Sequence, residues 1–462
     1  MPAEHRRPRN PNRDLEQLLD AAAMSRKGLA KRVNDLSALA GTPRGYTHTS
    51  ASNWIDRGMI PRPPVPALIA ATLGERLGRR VTLHEIGMGA PDTSGPDIGL
   101  DFPRDPEEAL RNAAQYWSTV DRRTLLTRSG PFAVAAFTSP VHRWLADPAD
   151  PPTAREDGRR VGRADLDELW DAAEEARRWD SKYGGGNWKS SSVLDCLQHR
   201  AAPLLRGSYT EHIGAELCTV TSELARIAAW SAVDMGQYDA AQRHFIQALR
   251  LARSAGDVQA GSYVLATMAL ASFLRGHTAE AIDMAEGAYE RAKHQAAPRV
   301  LAFAKLAAAR AYGRAGDAKR AITALAASER LLDSIQPHTR DPQWLTYLTH
   351  ARLSTDATEI HHHLGNPQAA LRWSRQALPM PAGVYTRAVG LRTAVVSATH
   401  LQAGDLDRGL ALGERAVDIL GQVRSARAHD YIRNINHALQ PWQKDQRVTA
   451  FLTTSNQALA GA

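Results

Sequence analysis

Two cysteines in 462 residues, Cys196 and Cys218, are too few for a disulfide framework and fit a reducing compartment. Long hydrophobic runs are also missing. The most apolar stretch, Gly130 to Phe137, falls far short of the roughly twenty residues that a membrane helix needs. No secretory leader is read at the N-terminus, so a cytoplasmic protein without a membrane role is expected. The motifs of common enzymes are absent too: no Gly-rich loop ending in Gly-Lys-Ser/Thr, no Gly-x-Ser-x-Gly elbow, no His-Glu-x-x-His. Gly184 to Ser190 ends in a Lys-Ser pair, but Trp188 stands where a phosphate loop needs glycine. Catalysis and cofactors are therefore not expected. Zinc could be argued from Cys196, His199, His212 and Cys218, but the long gap between the pairs favours ordinary buried thiols and no metal. His361 to His363 reads as a solvated helix end, where cations are welcome.

The positive charge is unevenly placed. Residues 1–90 hold fourteen Lys or Arg against eight Asp or Glu, a net of +6, whereas the whole chain carries +8. Localised basic charge is the electrostatic footprint of nucleic-acid binding. Arg6, Arg7 and Arg9, within a basic segment 1–12, are read either as an arm touching phosphate or the minor groove or as a solubilising tail.

Within that region Thr49 to Pro61 reads as a short DNA-reading helix. Thr49 or Ser50 can cap its start, Gly58 stops it and Pro61 forbids continuation. Ala51, Trp54 and Ile55 fall on one side. His48, Thr49, Ser50, Ser52, Asn53 and Arg57, with Arg44 ahead of them, form the polar candidate set for DNA. Asparagine pairs with adenine, arginine with guanine, and hydroxyls with bases or phosphate. Upstream, Ser25 to Asn34 gives an amphipathic helix with Leu29, Val33 and Leu36 inward and Arg26, Lys27, Lys31 and Arg32 outward; Arg26, Lys27 and Lys31 join the DNA candidates. Support helices are expected over Asp14 to Ala23 and Val65 to Leu77, and a last turn over Val81 to Ile86.

Leu29-Ala-Lys-Arg-Val33 followed by Ser50, Trp54, Gly58 and Pro61 resembles the helix-turn-helix domains of the lambda-repressor-like (XRE) class, over about the first ninety residues. The segment Asn34 to Thr47, with Gly41-Thr-Pro-Arg-Gly45 inside it, is much longer than the usual turn of that class.

The remainder divides by texture. Nine prolines from Pro91 to Pro152 suggest a linker over 91–164 with short helical pieces, one of them near Pro106 to Trp117. A helical repeat region follows over 165–442, and 443–462 reads as a tail. Gly236, Gly276, Gly316, Gly365 and Gly404 recur at 40, 40, 49 and 39 residues. Five residues after each, twelve after and seven before, the residue is always small: Ala241, Ala281, Ala321, Ala370, Gly409; Ala248, Ala288, Ser328, Ala377, Ala416; Ala229, Ala269, Ala309, Thr358, Ser397. Antiparallel helices approach closely only where neither carries bulk, so the period predicts stacked helix pairs with glycine at each turn. Asp317, Asp405 and Asn366 supply helix caps directly after the glycine. Met235 to Ala241, with Ala248 beyond, resembles the tetratricopeptide (TPR) turn and second helix, with a longer period. Ala426 to Gln440 reads as a capping helix.

Stacked pairs form a superhelix whose concave face takes peptides, small ligands or proteins. Glu223, Arg226, Trp230, Tyr263, Leu270, Phe273, Phe303, Arg310 and Arg314 are the groove candidates, with inter-repeat core as the alternative for the aromatics. The expected fold is all-α: an N-terminal helix-turn-helix domain over 13–90, a helical linker and a C-terminal TPR-like α-solenoid. That combination resembles actinobacterial two-part regulators of development and antibiotic production. The resemblance implies transcriptional control, often repression, with double-stranded DNA as partner and a repeat domain that dimerises or senses an effector or partner protein. A TPR interaction scaffold without sequence-specific DNA binding is the competing expectation.

Overall fold

The computed structural model describes residues 11–39, 44–62, 64–77, 81, 83, 85–88, 99–119, 132–150, 154–184, 191–336, 341–377 and 386–460. The N-terminal arginines and Gly41 to Pro43 lie outside them. The described residues are helical, with only isolated bridges at Arg155–Tyr209 and Arg160–Ser208. The chain falls into two compact units, 1–96 and 97–462.

The first unit holds four helices: α1 (Arg13–Ala21), α2 (Arg26–Leu39), α3 (His48–Asp56) and α4 (Val65–Leu77). Leu15, Leu19, Leu29, Val33, Trp54, Ile55, Ile69, Leu73 and Ile86 form its core. Leu36, expected inward, is only partly buried. Asn12 fastens the unit at three points. Its Oδ1 caps α1 by accepting from the Leu15 amide (3.0 Å), its Nδ2 donates to the Ile86 carbonyl (2.7 Å), and its own amide donates to the Ile55 carbonyl (2.7 Å). The turn between α1 and α2 places Ala23 at φ 47, a conformation that glycine adopts more easily.

The second unit opens with α5 (Pro106–Thr119) and α6 (Thr138–Ala146), followed by the long α7 (Arg163–Tyr183). Next come α8 (Ser191–Cys196) and α9 (Ala202–Leu205), joined by a π-helical turn, Leu197–Ala201. Five helix pairs then follow: α10 (Glu211–Asp234) with α11 (Tyr238–Ser254), α12 (Val258–Leu274) with α13 (Thr278–Ala292), α14 (Pro298–Arg314) with α15 (Ala318–Asp333), α16 (His350–His363) with α17 (Pro367–Gln376), and α18 (Thr386–Gln402) with α19 (Leu406–Leu420). Helices α20 (Ala426–Ala438) and α21 (Gln446–Ala460) close the chain.

The repeat chemistry is regular. All five turn glycines have positive φ, between 69° and 86°. In each turn the next amide donates to the carbonyl five residues back, as in Gln237 to Ala232 and Asp317 to Tyr312, which satisfies an orphan helix carbonyl. Asp317, Asn366 and Asp405 each cap the following helix by accepting an amide three residues on. The fifteen small positions are all buried. A further 40-residue pattern links the two helices of a pair: Ser222 Oγ donates to the Ala248 carbonyl and Ser262 Oγ to the Ala288 carbonyl, and in the third pair Ser328 Oγ donates back to the Ala302 carbonyl. Gly256 adds a sixth turn of the same kind, between pairs.

Two expectations about organisation change. Much of the segment read as a linker packs into the core of the second unit through Phe102, Leu110, Trp117, Phe137 and Trp144. Pro106 begins α5, and Pro140 lies in the first turn of α6. The stretch read as a C-terminal tail is largely α21, which buries Val448 and Phe451 with α19 and α20, so two helices cap the repeats.

Candidate functional site

Helix α3 starts at His48, one or two residues before the expected capping positions. Thr47 takes the extended cap conformation, and the Ser50 hydroxyl accepts the Thr47 amide at 3.2 Å. Ser50 thus holds the helix start and is not a free contact. The long connection from α2 is pinned by Asn34, whose amide group bonds both the N–H and the carbonyl of Tyr46 at 2.8 Å. Tyr46 then packs edge-on against Trp54. Asn34 was not foreseen as functional, because it reads only as a helix end.

With Ala51, Trp54 and Ile55 buried, helical spacing groups Thr49, Ser52, Asn53 and Asp56 on the opposite side, flanked by His48 and Arg57. His48, Thr49 and Arg57 are exposed, and Asn53 and Ser52 are partly so. Arg26 is not a free cation: its guanidinium pairs with Asp56 (2.6 Å) and Glu16 (3.3 Å) and donates to Ser52 Oγ (3.3 Å). It fixes α2 against α3 and also occupies Ser52. Arg32 pairs with Glu75. Lys27, Lys31, Arg44 and Arg57 are exposed and have no ion pair among the described residues. The surface left available is therefore Lys27, Lys31, Arg44, His48, Thr49, Asn53 and Arg57.

The repeat helices bring the groove candidates together but cover most of them. Glu223, Arg226, Tyr263, Leu270, Phe273 and Phe303 are all buried, so they do not line an open face, while Trp230 is partly exposed. Arg177 on α7 bonds Glu223 at 2.8 Å, and Arg226 bonds the same carboxylate. Burial alone would raise the Glu223 pKa; Arg226 and Arg177 outweigh it and hold the group below its ordinary value. Arg226 lies over the Tyr263 ring, which stacks on Trp344 with centroids 4.6 Å apart and shares a hydroxyl hydrogen bond with Tyr347. Arg310 pairs with Asp356 and Glu359 on α16, and Tyr431 on α20 donates to Glu359. The chain's own elements thus cover these side chains. A cavity of about 260 Å³ remains beside Arg314, with Tyr238, Arg275, Arg427, Asp430 and Arg433 in its wall. Of these, only Arg314 was anticipated.

The histidine run is only partly solvated, with His362 and His363 half-buried. His361 is 8% exposed, and burial, followed by the neighbouring His363, depresses His362 to about 4. Burial, with Arg243 adding to it, lowers His244 to about 3; this ring accepts a hydrogen bond from Trp117 at Nδ1. Both rings are neutral in the fold, whereas an unfolded histidine protonates near pH 6.5. The unfolded chain therefore binds more protons below about pH 6.5, and stability falls as pH drops from there toward the two depressed values. Each ring contributes at most about 1.4 kcal/mol per pH unit. The urea midpoint is expected to be lower at pH 5 than at pH 7, and His362→Gln should remove part of that difference; a difference unchanged by the variant would rule the His362 contribution out.

Cys196 and Cys218 are buried free thiols, pushed by burial to about 11 and about 12. Among the described residues no group of three His, Cys, Asp or Glu side chains could hold a metal ion, and no helix is long and apolar enough to cross a membrane.

No curated protein matches the chain significantly. The stretch that carries the exposed α3 surface has a family likeness of its own: residues 15–89, from α1 to just past Met88, match the SP15 N-terminal domain.

Proposed function

We propose that this chain is a sequence-selective DNA-binding regulator, reading DNA with α3 of its first unit and using its repeat unit to dimerise or to sense an effector. The observation that carries this reading is the set of exposed Thr49 and Arg57 with partly exposed Asn53, beside Lys27 and Lys31 unpaired on α2. It supplies one side chain type for adenine, one for guanine and two for phosphate. Two such units related by a dimer axis would place their α3 helices about 34 Å apart on one DNA face. The resemblance to XRE-type regulators and the charge concentrated in residues 1–90 support the same reading.

A protein-binding scaffold is the second reading. Met59 and Ile60, directly after α3, are about half exposed at 49% and 48%, which suits an apolar partner. Binding of the full chain to genomic fragments at several salt concentrations separates the two. A regulator enriches particular fragments and keeps them near physiological salt. Weak, non-selective binding that disappears at that salt supports the scaffold.

A further inference from the structure

The cavity beside Arg314 combines four guanidinium groups from three parts of the repeat unit: Arg275 just after α12, Arg314 at the end of α14, and Arg427 and Arg433 on α20. Like charges gather at such a spot at a cost, unless carboxylates neutralise them or a ligand does. Three nearby carboxylates each reach one of these guanidiniums, but two of them are shared with other arginines, and Arg275 has no ion pair among the described residues. Asp234 bonds Arg387 at 2.7 Å and lies 3.4 Å from Arg427. Glu359 bonds Arg310 and Tyr431 and is 3.9 Å from Arg314. Asp430, in the wall itself, pairs with Arg433 at 2.8 Å.

Aromatic rings do the rest of the holding. Arg275 lies 4.2 Å above the Tyr238 ring and donates to its hydroxyl, Arg427 lies 5.2 Å from Trp230, and Arg314 lies 5.5 Å from Phe273. A ring face attracts a cation without cancelling its charge, so these groups remain available to an anion. The Arg314 Nε is buried without a hydrogen-bond partner, and the Arg427 Nε has only the ion-pair contact with Asp234 at 3.4 Å. Guanidinium forks match the oxygen geometry of phosphates and carboxylates. The volume of about 260 Å³ lies below the range of drug-sized sites and suits a small ligand.

We propose that this cavity binds a small, multiply charged oxyanion, a phosphorylated or polycarboxylate metabolite, held between α20 and the ends of the first three helix pairs. Such a ligand joins the C-terminal cap to the repeats and so favours one curvature of the superhelix over others. Its role as the effector rests on the regulator reading; its binding does not, because the measurement contains no DNA.

The test is calorimetric titration of the full chain with sodium pyrophosphate and, separately, with sodium citrate, each against sodium chloride at equal ionic strength. Saturable binding with Kd below ~1 mM is expected for one or both. Binding of pyrophosphate alone identifies a phosphorylated ligand, and binding of citrate alone a polycarboxylate. Arg275→Gln with Arg433→Gln, both at exposed positions, should weaken binding at least about tenfold while the thermal midpoint without anion stays near that of the parent. Heats indistinguishable from chloride overturn the proposal, as does affinity unchanged both in that double variant and in Arg314→Gln.

Discussion

Replacing Arg250 by Met is expected to destabilise the repeat unit by about 3–5 kcal/mol, the usual loss when one partner of a buried ion pair is removed. The Arg250 side chain is 1% exposed, and its acceptors come almost entirely from a distant part of the sequence. Nη1 donates to Asp150 (2.6 Å) and Ser254 (3.0 Å), Nε to the Pro103 carbonyl (2.7 Å), and Nη2 to the carbonyls of Asp105 (3.2 Å) and Arg104 (3.4 Å). Burial lowers the pKa of this arginine and Asp150 opposes that shift, so the cost of burying the charge is offset by its bonds. Methionine fills the volume but leaves Asp150 leaning on Arg253 alone and strands three carbonyls. Lysine should fail nearly as badly, since one ammonium has three donors where the fork meets five acceptors. Arg250→Met combined with Asp150→Leu should recover part of the loss, because the stranded carboxylate goes too. Urea unfolding of the three variants reads this out. A loss below about 1 kcal/mol for Arg250→Met would mean that residues 99–119 and 132–150 do not share the repeat unit's fold.

That same network shows why part of the architecture was not legible in the sequence. Helix stops and caps are local chemistry: a glycine, then an aspartate or asparagine three residues before the amide it accepts. The turns at Gly316, Gly365 and Gly404 could therefore be placed from sequence, and α4 begins and ends at the expected Val65 and Leu77. The start of α3 moved to His48 because Ser50 reaches back to Thr47, a choice that several neighbouring hydroxyls offered equally. The packing of residues 99–119 and 132–150 depends on bonds across more than a hundred residues, such as Gln247 Nε2 to the Gly99 carbonyl and Gln242 with Ala133, which no local pattern announces. The burial of the groove candidates has a related cause. Spacing placed them on the first helices of the pairs, but it could not reveal that Trp344, Tyr347, Asp356 and Glu359 pack against them. Arg26 illustrates this in the first unit, where Glu16 and Asp56 turn an apparent phosphate contact into a strut.

The distinction between strut and contact gives the DNA-binding experiment its sharpest form. Lys27→Ala with Lys31→Ala should weaken binding to every fragment and reduce the slope of log affinity against log salt by about 1.8, since each neutralised phosphate contributes about 0.9. Asn53→Ala with Arg57→Ala should shift that slope by no more than a single phosphate's share while removing preference among fragments, at about 1–3 kcal/mol for each base that is no longer read. Arg26→Ala should behave differently from both. It frees Asp56 and Ser52 and loosens α2 against α3, so selective affinity falls with the salt slope unchanged, and the first unit melts earlier. Because the side chains of Lys27 and Lys31 are exposed and bonded to nothing among the described residues, their removal leaves the fold intact, and weakened binding cannot be blamed on unfolding. Equal, modest losses in the lysine pair and the Asn53 and Arg57 pair, with no change of slope in either, would remove α3 as the reading element. The half-exposed Met59 and Ile60 would then become the surface to mutate next, with protein capture in place of DNA affinity as the readout.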